Sequence, residues 1–403
     1  MEPKIRLKGF SGDWEDTTIG NIATVVGGGT PSTINPLYWN GPIQWFTPSE
    51  VGHTKYVEKS ERTITKDGID GSSARIIPAN SLLLSSRATI GEASINICEC
   101  TTNQGFQSLV PINVDLEFLY SLMITKKSDL LRESNGSTFL EISASKVKSI
   151  DICVPEKNEQ QALGSYFQHL DYLIQSTAKK IESLKQVKAA SLQSMFPQEG
   201  ETTPRVRFKG FEGEWENKTL GECLTINNER NQSNLYGIND VLSVSDEVGV
   251  VNQIKLLGRS YAGKSVANYR VLKTNQIVYT KSPLKSKPYG IVKVNKGAIG
   301  IVSVLYAVYD ANENVYPDYI HYYFEPTHRI NNYLLPLINK GAKNTMNISD
   351  EMALTGHVWI PSFEEQKKIA IYLQVLDNQI ILQTQRLEKL KQIKSACLDN
   401  MFV

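Results

Sequence analysis

The chain has 403 residues, 41% of them hydrophobic, and its 43 Lys and Arg against 42 Asp and Glu leave a formal net charge of +1. That composition describes folded globular domains with room for two or more cores, and excludes a disordered chain. The balanced charge gives no global attraction to nucleic acid, so phosphate binding has to come from local patches; with no run of about 18 apolar residues and no basic leader, a cytoplasmic protein with no membrane association is expected.

The chain opens with a pattern that it later repeats. Gly9-Phe10-Ser11-Gly12-Asp13-Trp14 returns as Gly210-Phe211-Glu212-Gly213-Glu214-Trp215, and Thr18-Ile19-Gly20 as Thr219-Leu220-Gly221. A second echo closes each half: Pro155, Glu159-Gln160, Leu170-Asp171, Leu184-Lys185 and Met195-Phe196 match Pro361, Glu365-Gln366, Leu376-Asp377, Leu390-Lys391 and Met401-Phe402. Two copies of one unit are expected, with divisions at 1–154, 155–200, 201–360 and 361–403. Between the matched ends, residues 23–153 and 224–359 share almost nothing. A common frame around unlike inserts suggests one scaffold presenting two different recognition surfaces.

The first insert alternates short apolar runs with turn residues at Gly27-Gly28-Gly29-Thr30-Pro31, Trp39-Asn40-Gly41, Asp67-Gly68, Asp70-Gly71 and Pro78-Ala79-Asn80. Ser81 to Ser85 reads as a strand and Glu117 to Lys127 as helical, which predicts an α+β domain on a twisted, largely antiparallel sheet. Its polar loops hold Thr30, Ser32, Arg87, Asn103 and Gln104, candidates for touching base edges because Arg, Asn and Gln present paired donors and acceptors. The competing reading is of turns that satisfy their own backbone. Cys98, Cys100, Cys153, Cys223 and Cys397 show no paired spacing, so neither a disulfide framework nor a zinc site is supported.

From Asn158 to Phe196 there is no proline and a single glycine, Gly164. Leu163, Phe167, Leu170, Ile174, Ile181, Leu184 and Met195 recur at the a and d spacing of a heptad, which predicts one long helix with a narrow coiled-coil seam.

The second insert carries a basic stretch. Between Glu247 and Asp310 there is no acidic residue, while Lys255, Arg259, Lys264, Arg270, Lys273, Lys281, Lys285, Lys287, Lys293 and Lys296 supply ten positive charges, interleaved with Tyr261, Tyr269, Tyr279 and Tyr289. A solvated face normally mixes signs, so this pattern points to a polyanion, with Arg259, Lys264, Lys281, Lys285 and Lys287 as its foremost candidates. Gly258 to Ser265 fits the P-loop spacing, but that motif needs a helix starting at Lys264, and Val266 to Thr280 reads as loop and strand.

The second long helix is predicted from Glu364 to Phe402, with Ile369, Leu373, Leu376, Ile380, Leu387, Leu390 and Met401 on its seam. Ser362 and Glu365 have capping-box spacing. Polar residues interrupt both seams at equivalent places, Thr177 or Gln383 and Lys188 or Lys394, a pattern that fixes register and partner choice. His53, His169, His321, His328 and His357 form no metal spacing or nucleophile relay, and Asn35-Pro36-Leu37-Tyr38 lacks the second proline of a methyltransferase motif. Catalysis is expected to belong to a partner.

The repeated Gly-Phe-x-Gly-x-Trp opening, and the Pro-x-x-x-Glu-Gln that leads into a heptad helix ending in Met-Phe, resemble the specificity (S) subunit of type I restriction-modification systems. Gly27 to Ser32, Trp39-Asn40-Gly41, Ile90-Gly91 and Asn103 to Phe106 are similar to one common type of its target-recognition domain. The resemblance implies two globular target-recognition domains, each followed by a long helix, the two helices pairing as an antiparallel coiled coil with pseudo-twofold symmetry that sets the domain spacing. It implies a non-catalytic subunit without cofactor or metal of its own, which reads a bipartite, asymmetric site on double-stranded DNA. Methyltransferase (M) subunits bring S-adenosylmethionine, and restriction (R) subunits add ATP-driven translocation and cleavage. A duplicated scaffold that binds proteins alone is the competing class, and a P-loop ATPase a third.

Overall fold

The computed structural model of the chain describes every residue except 137–139, 283, 285–286 and 341–345, with backbone alone for 339–340 and 346–347. Two compact units result: residues 1–179 together with 384–403, and residues 180–383. The division falls inside both long helices, Lys157–Ser194 and Phe363–Met401, so each helix begins in one unit and ends in the other.

The first unit contains β1 (Glu15–Thr18), β2 (Ala23–Gly27), β3 (Trp39–Phe46), β4 (Tyr56–Val57), β5 (Arg62–Ile64), β6 (Ser81–Leu84), β7 (Ala93–Asn96), β8 (Cys100–Thr102), β9 (Gln107–Pro111) and β10 (Asp151–Val154). They form a five-stranded sheet in the order β2-β9-β6-β7-β4, a three-stranded sheet β5-β3-β8, and the antiparallel pair β1-β10 that closes the insert onto its frame. All pairings are antiparallel except β3-β8 and β4-β7. The Leu82-Leu83-Leu84 run is buried throughout because β6 is covered on both faces. Leu82 and Leu84 join Phe118 and Leu122 of the helix Leu116–Thr125, whereas Leu83 faces Phe46, Ile77 and Phe106. Asp115 starts that helix by accepting a hydrogen bond from the Phe118 backbone N–H at 3.0 Å.

The second unit contains β11 (Glu216–Thr219), β12 (Leu224–Ile226), β13 (Leu242–Ser245), β14 (Gly249–Asn252), β15 (Arg270–Leu272), β16 (Ile277–Tyr279), β17 (Val292–Val294), β18 (Gly300–Val302), β19 (Ala307–Ala311), β20 (Asn339–Lys340), β21 (Met346–Asn347) and β22 (His357–Ile360). A four-stranded sheet β12-β19-β16-β17 is joined by the pairs β15-β18, β13-β14, β20-β21 and β11-β22, the last repeating β1-β10. At the P-loop-like segment, the helix Gln253–Leu257 ends at Gly258 in the left-handed conformation, and residues 259–269 carry no helix. A helix precedes this glycine rather than following Lys264, so no phosphate loop is formed.

Both cores are closed by the end of a long helix. In the first unit Phe402 lies 5.5 Å from Phe118, 5.6 Å from Phe167 and 6.3 Å from Trp14, between ring centroids. In the second, Phe196 lies 5.5 Å from Tyr319, 5.9 Å from Tyr323 and 6.3 Å from Trp215. The repeated Trp and Met-Phe motifs thus meet in space.

The helices run antiparallel within each unit. In the first, Lys394 Nζ is 2.6 Å from Asp171 and Tyr166 Oη 3.3 Å from Cys397 Sγ; in the second, Lys188 Nζ is 2.5 Å from Asp377 and Ser191 Oγ 3.2 Å from Tyr372 Oη. Leu163, Phe167, Leu170, Ile181, Ile369, Leu373 and Leu376 are buried, and Ile174, Leu184, Ile380, Leu387 and Leu390 half-buried. One local expectation is corrected: Glu365 does not close a capping box, because Arg207 takes both its carboxylate oxygens, each at 2.7 Å. Among the described residues no helix is long and apolar enough to cross a membrane.

Candidate nucleic-acid interface

In the first unit three loops converge, and the glycines explain how. Gly29 donates its N–H to the Thr102 carbonyl at 2.8 Å and accepts from Trp45 Nε1 at 2.9 Å. A Cβ on Gly28 would lie 2.0 Å from the Asn103 carbonyl oxygen, and one on Gly29 2.3 Å from Ser73 Oγ, so only glycine lets this loop lie so close. The loop after β6 is tied to the loop after β8 by the Ser86 N–H on the Gly105 carbonyl at 2.8 Å.

These ties bring most of the polar candidates of the first insert together. Arg87, Asn103 and Gln104 share an open cleft with Pro48, Ser49, Ala88 and Gly105. Thr30 joins them by donating its hydroxyl to Gln104 Oε1 at 2.5 Å. Ser32 stands apart: it is exposed, and its carbonyl receives Trp39 Nε1 at 3.0 Å. Asn103 spends its Oδ1 on the Gly105 N–H at 2.8 Å, as a turn residue does, and among the described residues its Nδ2 and the Gln104 Nε2 have no partner. The bland and the functional readings therefore apply to different atoms of the same side chains. Ala88 sits beside Arg87 with φ +64°, a conformation costly for a residue with a Cβ and commonest where a loop is held for a purpose.

In the second unit the basic stretch divides. Its missing acids are supplied by other segments: Arg270 and Lys281 meet Asp350 at 2.5 and 2.6 Å, Lys273 meets Glu229 at 2.5 Å, Lys296 meets Asp318 at 2.6 Å, and Lys287 and Lys293 meet Asp246 at 2.8 and 3.6 Å. Lys287 and Lys293 are 7% exposed, and burial pulls the Lys293 ammonium below the usual lysine range. Burial would raise the Asp350 and Asp246 carboxyls, yet the lysines bonded to them hold both below the ordinary range. Absence of acids along the sequence is thus not absence of acids in space. Tyr279 is also interior, donating its hydroxyl to the Tyr289 carbonyl at 2.7 Å.

Lys273 and Lys296 stay exposed but ion-paired, and the segment 255–264 holds the exposed cations that are left. Lys255, Arg259 and Lys264 are exposed, and among the described residues none meets a carboxylate. Arg259 stacks over Tyr261, 4.6 Å from the ring centroid, and Tyr261 is itself 61% exposed. An exposed cation on an exposed ring offers both charge for phosphate and a flat face for a sugar or base. Lys285 lies outside the described residues.

Sequence reasoning missed the carboxylates that cross into the basic stretch, because Asp246, Asp318 and Asp350 are distant in the chain and carry no motif. It also missed the partners of Lys188 and Lys394. The signal was present, since Asp171 and Asp377 repeat at the same offset as the two lysines.

Residues 11–186 match the family described as type I restriction modification DNA specificity domain. The chain is 34% identical over 239 residues to the MjaIX specificity subunit of Methanocaldococcus jannaschii, covering 54% of this chain and 53% of that one. It is 33% identical over 173 residues to the EcoR124I/EcoR124II specificity subunit of Escherichia coli, covering 41% and 43%. The matches thus span about half the length of these relatives or less. A crystal structure of the type I restriction-modification S subunit from M. genitalium shares the fold, with a TM-score of 0.61 at 15% identity over 100% of this chain and 99% of that one.

Proposed function

We propose that this chain is a member of the type I restriction-modification specificity family and is the non-catalytic subunit that reads a bipartite, asymmetric sequence in double-stranded DNA. Each unit holds one reader. In the first, the cleft of Arg87, Asn103 and Gln104 with Thr30 at its edge reads bases, and Ser32 extends the same loop; Arg and the carboxamides carry the paired groups that distinguish base pairs in the major groove. In the second, Lys255, Arg259 and Lys264 hold phosphates, and the ion-paired Lys281 and Lys287 shape the surface from beneath.

Methyltransferase and restriction subunits are the partners of this reading, supplying S-adenosylmethionine and ATP chemistry, and the cytoplasm is where they meet DNA. The observation that carries the proposal is a repeated frame around inserts that keep one sheet order, β2-β9-β6-β7 in the first unit and β12-β19-β16-β17 in the second, yet share almost no sequence, the first adding the edge strand β4. A frame selected to hold still and inserts free to differ is what a two-part reader requires.

The test is to co-express the chain with its methyltransferase subunit and map methylated positions across a genome. One split motif with two unlike halves is expected. Methylation without sequence preference, or a single uninterrupted motif, removes the proposal.

A further inference from the structure

In the first unit, Asp171 of the first long helix receives Lys394 of the second at 2.6 Å and Lys55 of the globular insert at 2.9 Å. Lys55 also meets Glu117 at 2.6 Å, and Tyr56 donates its hydroxyl to Glu117 at 2.6 Å. In the second unit, Asp377 of the second helix meets Lys188 of the first at 2.5 Å and accepts the Tyr322 hydroxyl at 2.9 Å. Lys188 also meets Glu325 at 2.6 Å, the Glu325 carbonyl accepts Lys287 Nζ at 2.8 Å, and Lys287 reaches Asp246 in the β13-β14 turn.

Each unit therefore ties three bodies at one point: both helices and the insert. The Asp and Lys are equivalent in the two copies, but the insert residues that complete the knot are not, Lys55 and Glu117 in one and Glu325 and Tyr322 in the other. Equivalent helix groups that recruit unlike insert groups have been kept as a joint, because apolar packing alone would have sealed the seam at these positions. Lys188 and Lys55 are 12% and 10% exposed, so their charges are largely desolvated and depend on their partners. Directional contacts of this kind fix an angle, which apolar packing leaves loosely defined.

We propose that Asp171 and Asp377 are positioning residues that set the orientation of each reader on its helices, and through it the tolerance for the spacer between half-sites. They touch no DNA in this account. The inference rests on the DNA-reading function proposed above. Loosening either joint lets its reader swing, so half-sites one base pair nearer or farther become acceptable while their sequences stay the same.

The experiment uses the full chain in complex with its methyltransferase subunit, acting on a plasmid library in which the two mapped half-sites are separated by spacers of every length around the natural one. The readout is the ratio of methylation at neighbouring spacers to that at the natural spacer, which does not depend on how much of the preparation is active. Asp171→Asn and Asp377→Asn, which keep side-chain size, are expected to raise that ratio about tenfold, the effect of a difference of about 1.4 kcal/mol. Lys188→Arg, which can still reach Glu325 and Asp377, keeps the wild-type ratio. An unchanged ratio in both Asn variants overturns the inference, and so does loss of methylation at every spacer, which would make the aspartates folding elements. If the wild-type complex itself shows no split motif, it is the proposed function that fails, and the two failures are distinct.

Discussion

Arg6 donates from Nε and Nη2 to both carboxylate oxygens of Glu159, at 2.8 and 2.7 Å, while Nη1 and Nη2 hold the carbonyls of Gly12 and Ser11 at 2.5 and 3.1 Å. Arg207 repeats this on Glu365, with the carbonyls of Gly213 and Glu212 at 2.6 and 3.1 Å. Gly12 at φ +90° and Gly213 at φ +82° adopt a backbone that other residues resist, which aims those carbonyls at the guanidinium. The repeated Gly-x-Trp opening is therefore a clamp on the helix start.

Breaking that clamp leaves one charge without its partner. Glu365 is 1% exposed, so Glu365→Gln should destabilise the second unit by about 2–3 kcal/mol, less than for a pair buried at both ends because Arg207 is partly solvated. Hydrogen exchange in the β11-β22 pair reports it. Full protection in the variant contradicts the clamp.

Loss of a helix end should be felt in the core that it closes. Phe402 is encoded at the end of the second half but packs against Trp14, Phe118 and Phe167, so Phe402→Ala should cost the first unit about 3–5 kcal/mol and leave exchange at Trp215 and Tyr319 unchanged. Phe196→Ala should do the reverse. Effects confined to the half that encodes each residue contradict this packing.

Acid should weaken the second unit earlier than its carboxylates alone predict. His321 is half-buried with Nδ1 3.0 Å from the Val292 carbonyl, and desolvation of the ring, reinforced by Lys293 and Lys188 nearby, pushes its pKa down to about 3. The folded imidazole stays neutral, while the unfolded one takes a proton below about pH 6.5. The unfolded state then binds more protons, so stability falls as pH drops from about 6.5 toward 3, by about 1.4 kcal/mol per pH unit for this proton, and is flat above that range. Urea midpoints at pH 7 and pH 5 should converge in His321→Gln; equal losses in variant and wild type contradict the assignment.

Element types and the duplicated frame were legible because they rest on periodicity and repetition. The proline-free heptads became Lys157–Ser194 and Phe363–Met401, and Leu82 to Leu84 became a strand. Charge was less legible. Lys287 and Arg259 look alike in a row of basic residues, yet one reaches Asp246 inside the unit and the other lies exposed over Tyr261, a difference set by residues far apart in the chain. The seam lysines were legible as polar interruptions that fix register and partner choice, but their partners Asp171 and Asp377 emerge only in space.

Salt dependence separates those two kinds of lysine. Replacing Lys255, Arg259 and Lys264 with Ala should lower the slope of log affinity against log salt by about one unit per residue without altering which sequence is preferred. Replacing Lys281 and Lys287 should instead reduce protection from hydrogen exchange around Asp350 and Asp246. Equal slope changes in both sets contradict the division.

The most direct measurement is methylation mapping after residues 23–153 are exchanged for the corresponding insert of a relative, in the complex with the methyltransferase subunit. The account predicts a split motif in which one half changes and the other half is retained, because each reader is folded within its own unit and the exchange leaves the repeated Gly-x-Trp opening and both long helices in place. A change in both halves, or in neither, would contradict it.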